Sequence, residues 1–268
     1  MPAADRPTFD HPAPMRSVVP SARALTLISL ATFIVLVVLE VTRWPLLFST
    51  RSSVLLAIVT PALAFFPAGI IVKSLRRTEL RSWAHAHGFT LDEHPTVPVP
   101  QLDIEPFTIA RARRKRVRAV MSGKVGRYPA GYLYYTWWNN NRIQFTSHYR
   151  NVFSLTLPKA LPALSIGPTI STRAGDVVEF ESITFNEQWA VLCPDQRFAK
   201  AALPPTTLDG LLSMDLPVTA NTRIAIVGRQ LLAISIGGSR GDDITRLYRT
   251  LQVIADGIPR YVWEEYGR

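Results

Sequence analysis

Six positive charges fall within eight residues, at Arg111, Arg113, Arg114, Lys115, Arg116 and Arg118. Holding cations at that density is costly unless anions lie close by, so anion recognition is the chemistry this segment can do. Three readings follow. The run contacts anionic lipid headgroups, where each basic residue gains about 1 kcal/mol; it is a solvated surface loop or a protein-partner site; or it touches nucleic acid. No nucleic-acid-binding fold or aromatic RNA-binding signature supports the last reading. The basicity is local: residues 106–127 hold eight basic and no acidic side chains, and the rest of the +10 chain sums to about +2.

Other groups that could do chemistry lack the required spacing. His85, His87 and His94 are three imidazoles in ten residues, but helix positions two apart diverge and no HExxH pattern exists, so no metal is expected. Cys193, the only cysteine, excludes an intrachain disulfide and any paired-cysteine zinc site; its strand position suggests a buried thiol. The stretch Gly237, Gly238, Ser239, Arg240, Gly241 joins a strand to a helix, but it lacks the lysine and hydroxyl of a P-loop, and Asp242 and Asp243 would repel an anion there. Glu179 and Glu181 share a strand face and are the carboxylates an unrecognised membrane-associated enzyme would use. The bland reading of that pair is a solvated face, no cofactor is implied, and the chain reads as noncatalytic.

The elements that position these residues begin with a membrane anchor. Residues 52–72 are 21 positions without a charge, long enough as a helix to cross a hydrocarbon core of about 30 Å. A shorter uncharged run at 24–39 reaches spanning length if Glu40 and Val41 sit among headgroups, giving spans of about 24–42 and 52–72. A cleaved signal peptide fits less well, because the leader is long and proline-rich and the run ends in Glu40, Thr42, Arg43 and Trp44. Basic residues flanking the pair (Arg6, Arg16, Arg23 before; Lys73, Arg76, Arg77, Arg81 after) exceed Arg43 and Arg51 between them. Both termini are therefore expected in the cytoplasm of a two-span cell-membrane protein.

The expected organisation is a disordered tail at 1–23, a transmembrane hairpin at 24–73 and a cytosolic α+β domain at 74–268. In that domain a short helix at 74–87 stops at Gly88, and Pro95, Pro98 and Pro100 mark an extended connection. Strands are expected at 128–138, 142–148, 151–157, 176–181, 189–193, 222–227 and 230–236, the last two joined as a hairpin by Gly228 and Arg229. In the first of these, Tyr132, Tyr134 and Trp138 line one face and Leu133, Tyr135 and Trp137 the other, which suits a central strand. Helices are expected at 196–202 capped by Asp195, at 207–214, and at 244–258, where Ile244, Leu247, Tyr248, Leu251, Ile254, Ala255 and Ile258 form one apolar stripe. An antiparallel sheet covered by the C-terminal helix follows.

The run FNEQWAVLCPDQRFAKAALP, with Phe185, Asn186, Trp189, Asp195, Ala199, Leu203 and Pro204, resembles a bacterial, actinobacterial-like family of membrane-anchored proteins of unknown function that carry two N-terminal spans. SWAHAHGFTL and DGIPRYVW look similar too, so the likeness covers residues 75–263. The resemblance implies an anchored domain with no assigned activity and no catalytic residues to carry over. Read from the residues alone, Phe185 and Trp189 are core positions and Asp195 is a helix cap. The functional expectation is a noncatalytic membrane-tethered module that binds anionic lipid headgroups, a protein partner or its own copies.

Overall fold

The computed structural model describes residues 77–110, 112–141, 144–168, 177–214, 222–236 and 241–268. The expected tail at 1–23 and both expected spans lie outside these residues. Among those described, no helix is long and apolar enough to cross a membrane. Residues Ala84–Arg268 belong to one compact unit, which contains the whole sheet.

A helix at 77–86 (α1) ends as its sequence implies, with Gly88 at φ +67° and the Phe89 N–H bonded to the Ala84 carbonyl at 2.8 Å. The chain then builds a seven-stranded antiparallel sheet from β1 (Thr90–Asp92), β2 (Ala112–Val125), β3 (Tyr128–Asn141), β4 (Gln144–Pro168), β5 (Val177–Val178), β6 (Trp189–Leu192) and β7 (Arg223–Ser235). Its order is β1-β2-β3-β4-β6-β5, with β7 also paired to β4. Gly126, at φ +57°, lets a two-residue turn join β2 to β3, a conformation that costs glycine no Cβ clash.

The long strand β4 serves three partners in succession: β3 along Gln144–Leu155, β7 along Asn151–Ile166 and β6 along Ser165–Pro168. Pro158 and Pro162 lack the N–H a ladder needs, and the register with β7 breaks between Thr156 and Leu161 and again before Leu164. The chain that bulges out there holds the C-terminus, since Ala160 and Arg268 exchange two backbone hydrogen bonds of 3.0 Å.

Helices cover one face of the sheet. α2 (Ile183–Gln188), α3 (Gln196–Ala202), α4 (Pro205–Ser213), α5 (Gly241–Gly257) and α6 (Arg260–Glu265) follow in chain order. The apolar stripe of α5 is buried as its spacing requires, and Tyr248 reaches across to donate a 2.9 Å hydrogen bond to the Gly131 carbonyl while its ring meets Phe153 edge-on. α4 and α5 cross closely: a Cβ on Gly210 would press on Val253, and one on Gly257 would collide with the Thr207 hydroxyl. The opposite face is covered by no helix among the described residues. There the irregular segment 98–110 packs Phe107, with Val99, Leu102, Ile104 and Ile109, against Tyr135, Trp137, Val152, Leu232 and Ile234.

Three expectations about elements are corrected. The strands expected at 142–148, described from Gln144 on, and at 151–157 belong to one strand, β4. The expected hairpin at 222–236 is also one strand, β7: only Gly228 has positive φ (+59°), and both halves find the same partner, β4, whose bulge follows the bend at Gly228. The expected strand at 176–181 shrinks to Val177–Val178, because the Asn186 side chain takes up both the N–H and the carbonyl of Phe180 and draws the chain out of the ladder. α2 and α6 had no counterpart in the sequence reading.

A basic and aromatic face at the end of the ribbon

β2, β3 and the first half of β4 form an antiparallel ribbon, and the basic run lies on its outer strand. A loop was one expectation for this run; the structure makes residues 112–118 part of β2 instead, paired to β3. Arg111 lies outside the described residues. Arg113, Arg114, Arg116 and Arg118 are exposed, whereas Lys115 is half-buried and its Nζ donates to the Phe107 carbonyl at 3.0 Å. Four of the six expected anion contacts are thus available at the surface, and Lys115 is turned to a structural task.

The run is interrupted by two bulges. Arg113 pairs with Trp138 and Arg116 with Thr136, so Arg114 and Lys115 together oppose Trp137; Val117 pairs with Tyr135 and Ala119 with Tyr134, leaving Arg118 as a second extra residue. Simple alternation would put Arg113 and Arg116 on opposite faces. The first bulge re-phases the strand and places both on the face of Trp138, Arg113 opposite Trp138 itself and Arg116 opposite Thr136. Arg114 occupies the left-handed region at φ +49°, a conformation that costs a non-glycine residue about 1 kcal/mol. Along 112–119 the outer edge of β2 has no strand partner among the described residues, since β1 pairs only with Val120–Ser122. Bulges and arginines on such an edge also oppose pairing with a second copy of the chain, one of the expected partners.

The two faces of the ribbon differ. On the face shared with α5, Tyr132 is buried and bonded to Asn151 at 2.8 Å, Tyr134 and Tyr149 are half-buried with rings 5.8 Å apart, and Trp138 at the far end is 36% exposed. On the other face Trp137 stays 2% exposed, stacked between Tyr135 and His148, with the Arg150 guanidinium 5.3 Å over its ring. Burial lowers the Arg150 pKa, opposed by the field of Glu105. The Tyr135 hydroxyl and Trp137 Nε1 are buried without a hydrogen-bond partner among the described residues. The expectation that this aromatic strand is central therefore holds for both faces as far as Tyr132, and beyond it for one face only.

The remaining candidates are dispersed. His85 and His94 are exposed and His87 half-buried, and no group of three His, Cys, Asp or Glu side chains is placed to hold a metal among the described residues. Glu179 and Glu181, expected on one strand face, are exposed on the irregular chain after β5. Cys193 is buried just past β6, its thiol directed at the Asp195 carbonyl at 3.1 Å. Residues 237–240 lie outside the described residues. The motif residues prove structural: Phe185 and Trp189 are buried, and Asp195 caps α3 by accepting from the Phe198 N–H at 3.0 Å.

No family model and no curated protein matches this chain. The crystal structure of the mycobacterial trehalose monomycolate transport factor A is similar over 68% of this chain and 93% of that one, with 12% identity and a TM-score of 0.49. A likeness of that degree implies no shared function. What the geometry itself offers is a surface of arginines and aromatic rings, missed by sequence reasoning because the bulges that assemble it have no periodic signature.

Proposed function

We propose that this chain is a noncatalytic membrane-tethered module whose domain binds anionic lipid headgroups through the β2–β3–β4 ribbon. The observation that carries the reading is one of charge. Residues 106–175, which contain the whole ribbon, hold twelve basic and no acidic side chains, while the rest of the chain carries 18 basic and 20 acidic ones. The exposed arginines of β2 form the dense part of that cationic surface. A negatively charged bilayer attracts such a surface over a Debye length of about 8 Å at physiological salt.

The tether in this proposal is the pair of uncharged segments at 24–42 and 52–72, with both termini cytoplasmic. Their length and their basic flanks support it. An anchored domain meets the anionic leaflet before any other polyanion, which favours lipid over nucleic acid. Amide exchange of the full chain tests the reading. The outer-edge N–H groups of 112–119 should be protected in phosphatidylglycerol bilayers and unprotected in neutral phosphatidylcholine, with salt reversing the effect. Equal exchange in both lipids would overturn it, as would stronger protection by an oligonucleotide than by phosphatidylglycerol.

A further inference from the structure

We propose that Trp138 is an interfacial anchor, and that the sheet face carrying Tyr134, Thr136, Trp138 and Tyr149 with Arg113 and Arg116 is the surface laid against the bilayer. The inference rests on the lipid reading above and adds which face docks and by what chemistry. Cations alone fit any polyanion, and the aromatic content of the face narrows the partner to one that also takes up an exposed ring.

The geometry is set by register. Arg113 is the direct cross-strand partner of Trp138, and Arg116 is that of Thr136, which in turn pairs with Tyr149 on β4. Direct partners lie about 4.5–5.5 Å apart, so the two side chains leave the sheet from neighbouring points of one face. Thr136 fastens the re-phased strand by donating its hydroxyl proton to the Arg116 carbonyl at 3.4 Å. The patch lies past the point where Tyr248 of α5 covers Gly131 and Phe153, and exposure rises from 4% at Tyr132 to 36% at Trp138.

The chemistry points to a bilayer interface. Indole has an apolar body and one N–H, a combination that settles at headgroup depth, where the ring leaves water and the N–H keeps a polar partner. Tyrosines favour the same depth. Arginines beside them meet the phosphates just above. Soluble phosphate would satisfy the arginines and leave the exposed ring in water, whereas a single-stranded nucleic acid would also stack a base on it; the tether of the proposed function selects the bilayer between the two. A charged bilayer satisfies both, and the opposite face is already occupied by Phe107 and its neighbours.

The test uses the full chain in phosphatidylcholine bilayers with brominated acyl chains, with and without phosphatidylglycerol. The Trp138 contribution is the emission of the wild type minus that of Trp138→Phe, which cancels the other five tryptophans. The expected result is a Trp138 component quenched by brominated chains when phosphatidylglycerol is present and unquenched in neutral lipid. In parallel, Trp138→Ala should lower the affinity of the domain surface for the charged bilayer about tenfold. An unquenched Trp138 with lipid-dependent protection of 112–119 intact would overturn the anchor and leave the electrostatic reading standing. Loss of both signals would overturn the two together.

Discussion

Arg113 and Trp138 are direct partners across β2 and β3, and the bulge at Arg114 and Lys115 brings Arg116 onto the same face opposite Thr136. Position on this face, and not overall charge, should therefore govern lipid contact. Replacing Arg113 and Arg116 with glutamine is expected to weaken association with anionic bilayers by about 30-fold, at about 1 kcal/mol per residue. Replacing Lys124 and Lys159, which lie away from this end of the ribbon, should change it much less. Equal losses from the two pairs would show that net charge alone is being read.

The left-handed backbone of Arg114 gives a prediction about stability. Arg114→Gly is expected to raise the stability of the domain by about 1 kcal/mol in urea unfolding, because glycine enters this region without the Cβ clash. It should at the same time weaken binding to anionic bilayers. A protein that trades stability for binding at this position fits an arginine placed for its charge; a destabilised glycine variant would show that the side chain supports the bulge.

Much of the fold can be read directly from sequence. The α5 stripe, the Asp195 cap, the stop at Gly88 and the burial of Phe185 and Trp189 all rest on local rules, namely helical spacing, capping chemistry and residue size. The errors share a different origin. Gly228–Arg229 carries the composition of a hairpin turn, yet tertiary pairing of both halves with β4 makes it a bend in one strand. The basic run was legible as a cluster of charge but not as a face, since two bulges change its phase twice in six residues, from Arg113 to Arg118. Nothing in the order of residues signals where a strand will bulge, so the pairing of Arg113 with Trp138 and of Arg116 with Thr136 had to come from the register.

At the close crossing of α4 and α5, Gly257→Ala is expected to cost about 1–3 kcal/mol, because the new methyl would collide with the Thr207 hydroxyl. Thr207 Oγ1 is itself buried without a partner among the described residues. Adding Thr207→Ala to the glycine variant should recover part of the loss, and a thermal-unfolding double-mutant cycle measures that coupling. Simple additivity of the two changes would place the helices farther apart than described.

Tyr128 predicts how the domain responds to alkali. Its hydroxyl accepts from Arg127 at 2.7 Å and shares its proton between the Ala255 carbonyl and Asp256, fastening the β2–β3 turn to α5. Burial, partly offset by Arg127, pushes its pKa up to about 12. The neutral phenol is the form the fold prefers, so this stabilisation is complete below about pH 10, the value for an unfolded tyrosine, and is lost as the pH rises toward 12. Burial raises Tyr132 and Tyr248 as well. Urea midpoints should stay level up to about pH 10 and then fall, with a shallower fall in Tyr128→Phe; an identical slope in that variant would remove Tyr128 from the account.

The central claim is that the cationic ribbon touches anionic lipid, and photo-crosslinking from a phosphatidylglycerol probe with a reactive headgroup tests it most directly. With the full chain in bilayers, mapped adducts should concentrate at 112–118 and 134–149 and disappear at high salt. Adducts confined to residues before 77, or spread over α5 and α6 with the ribbon unlabelled, would contradict it.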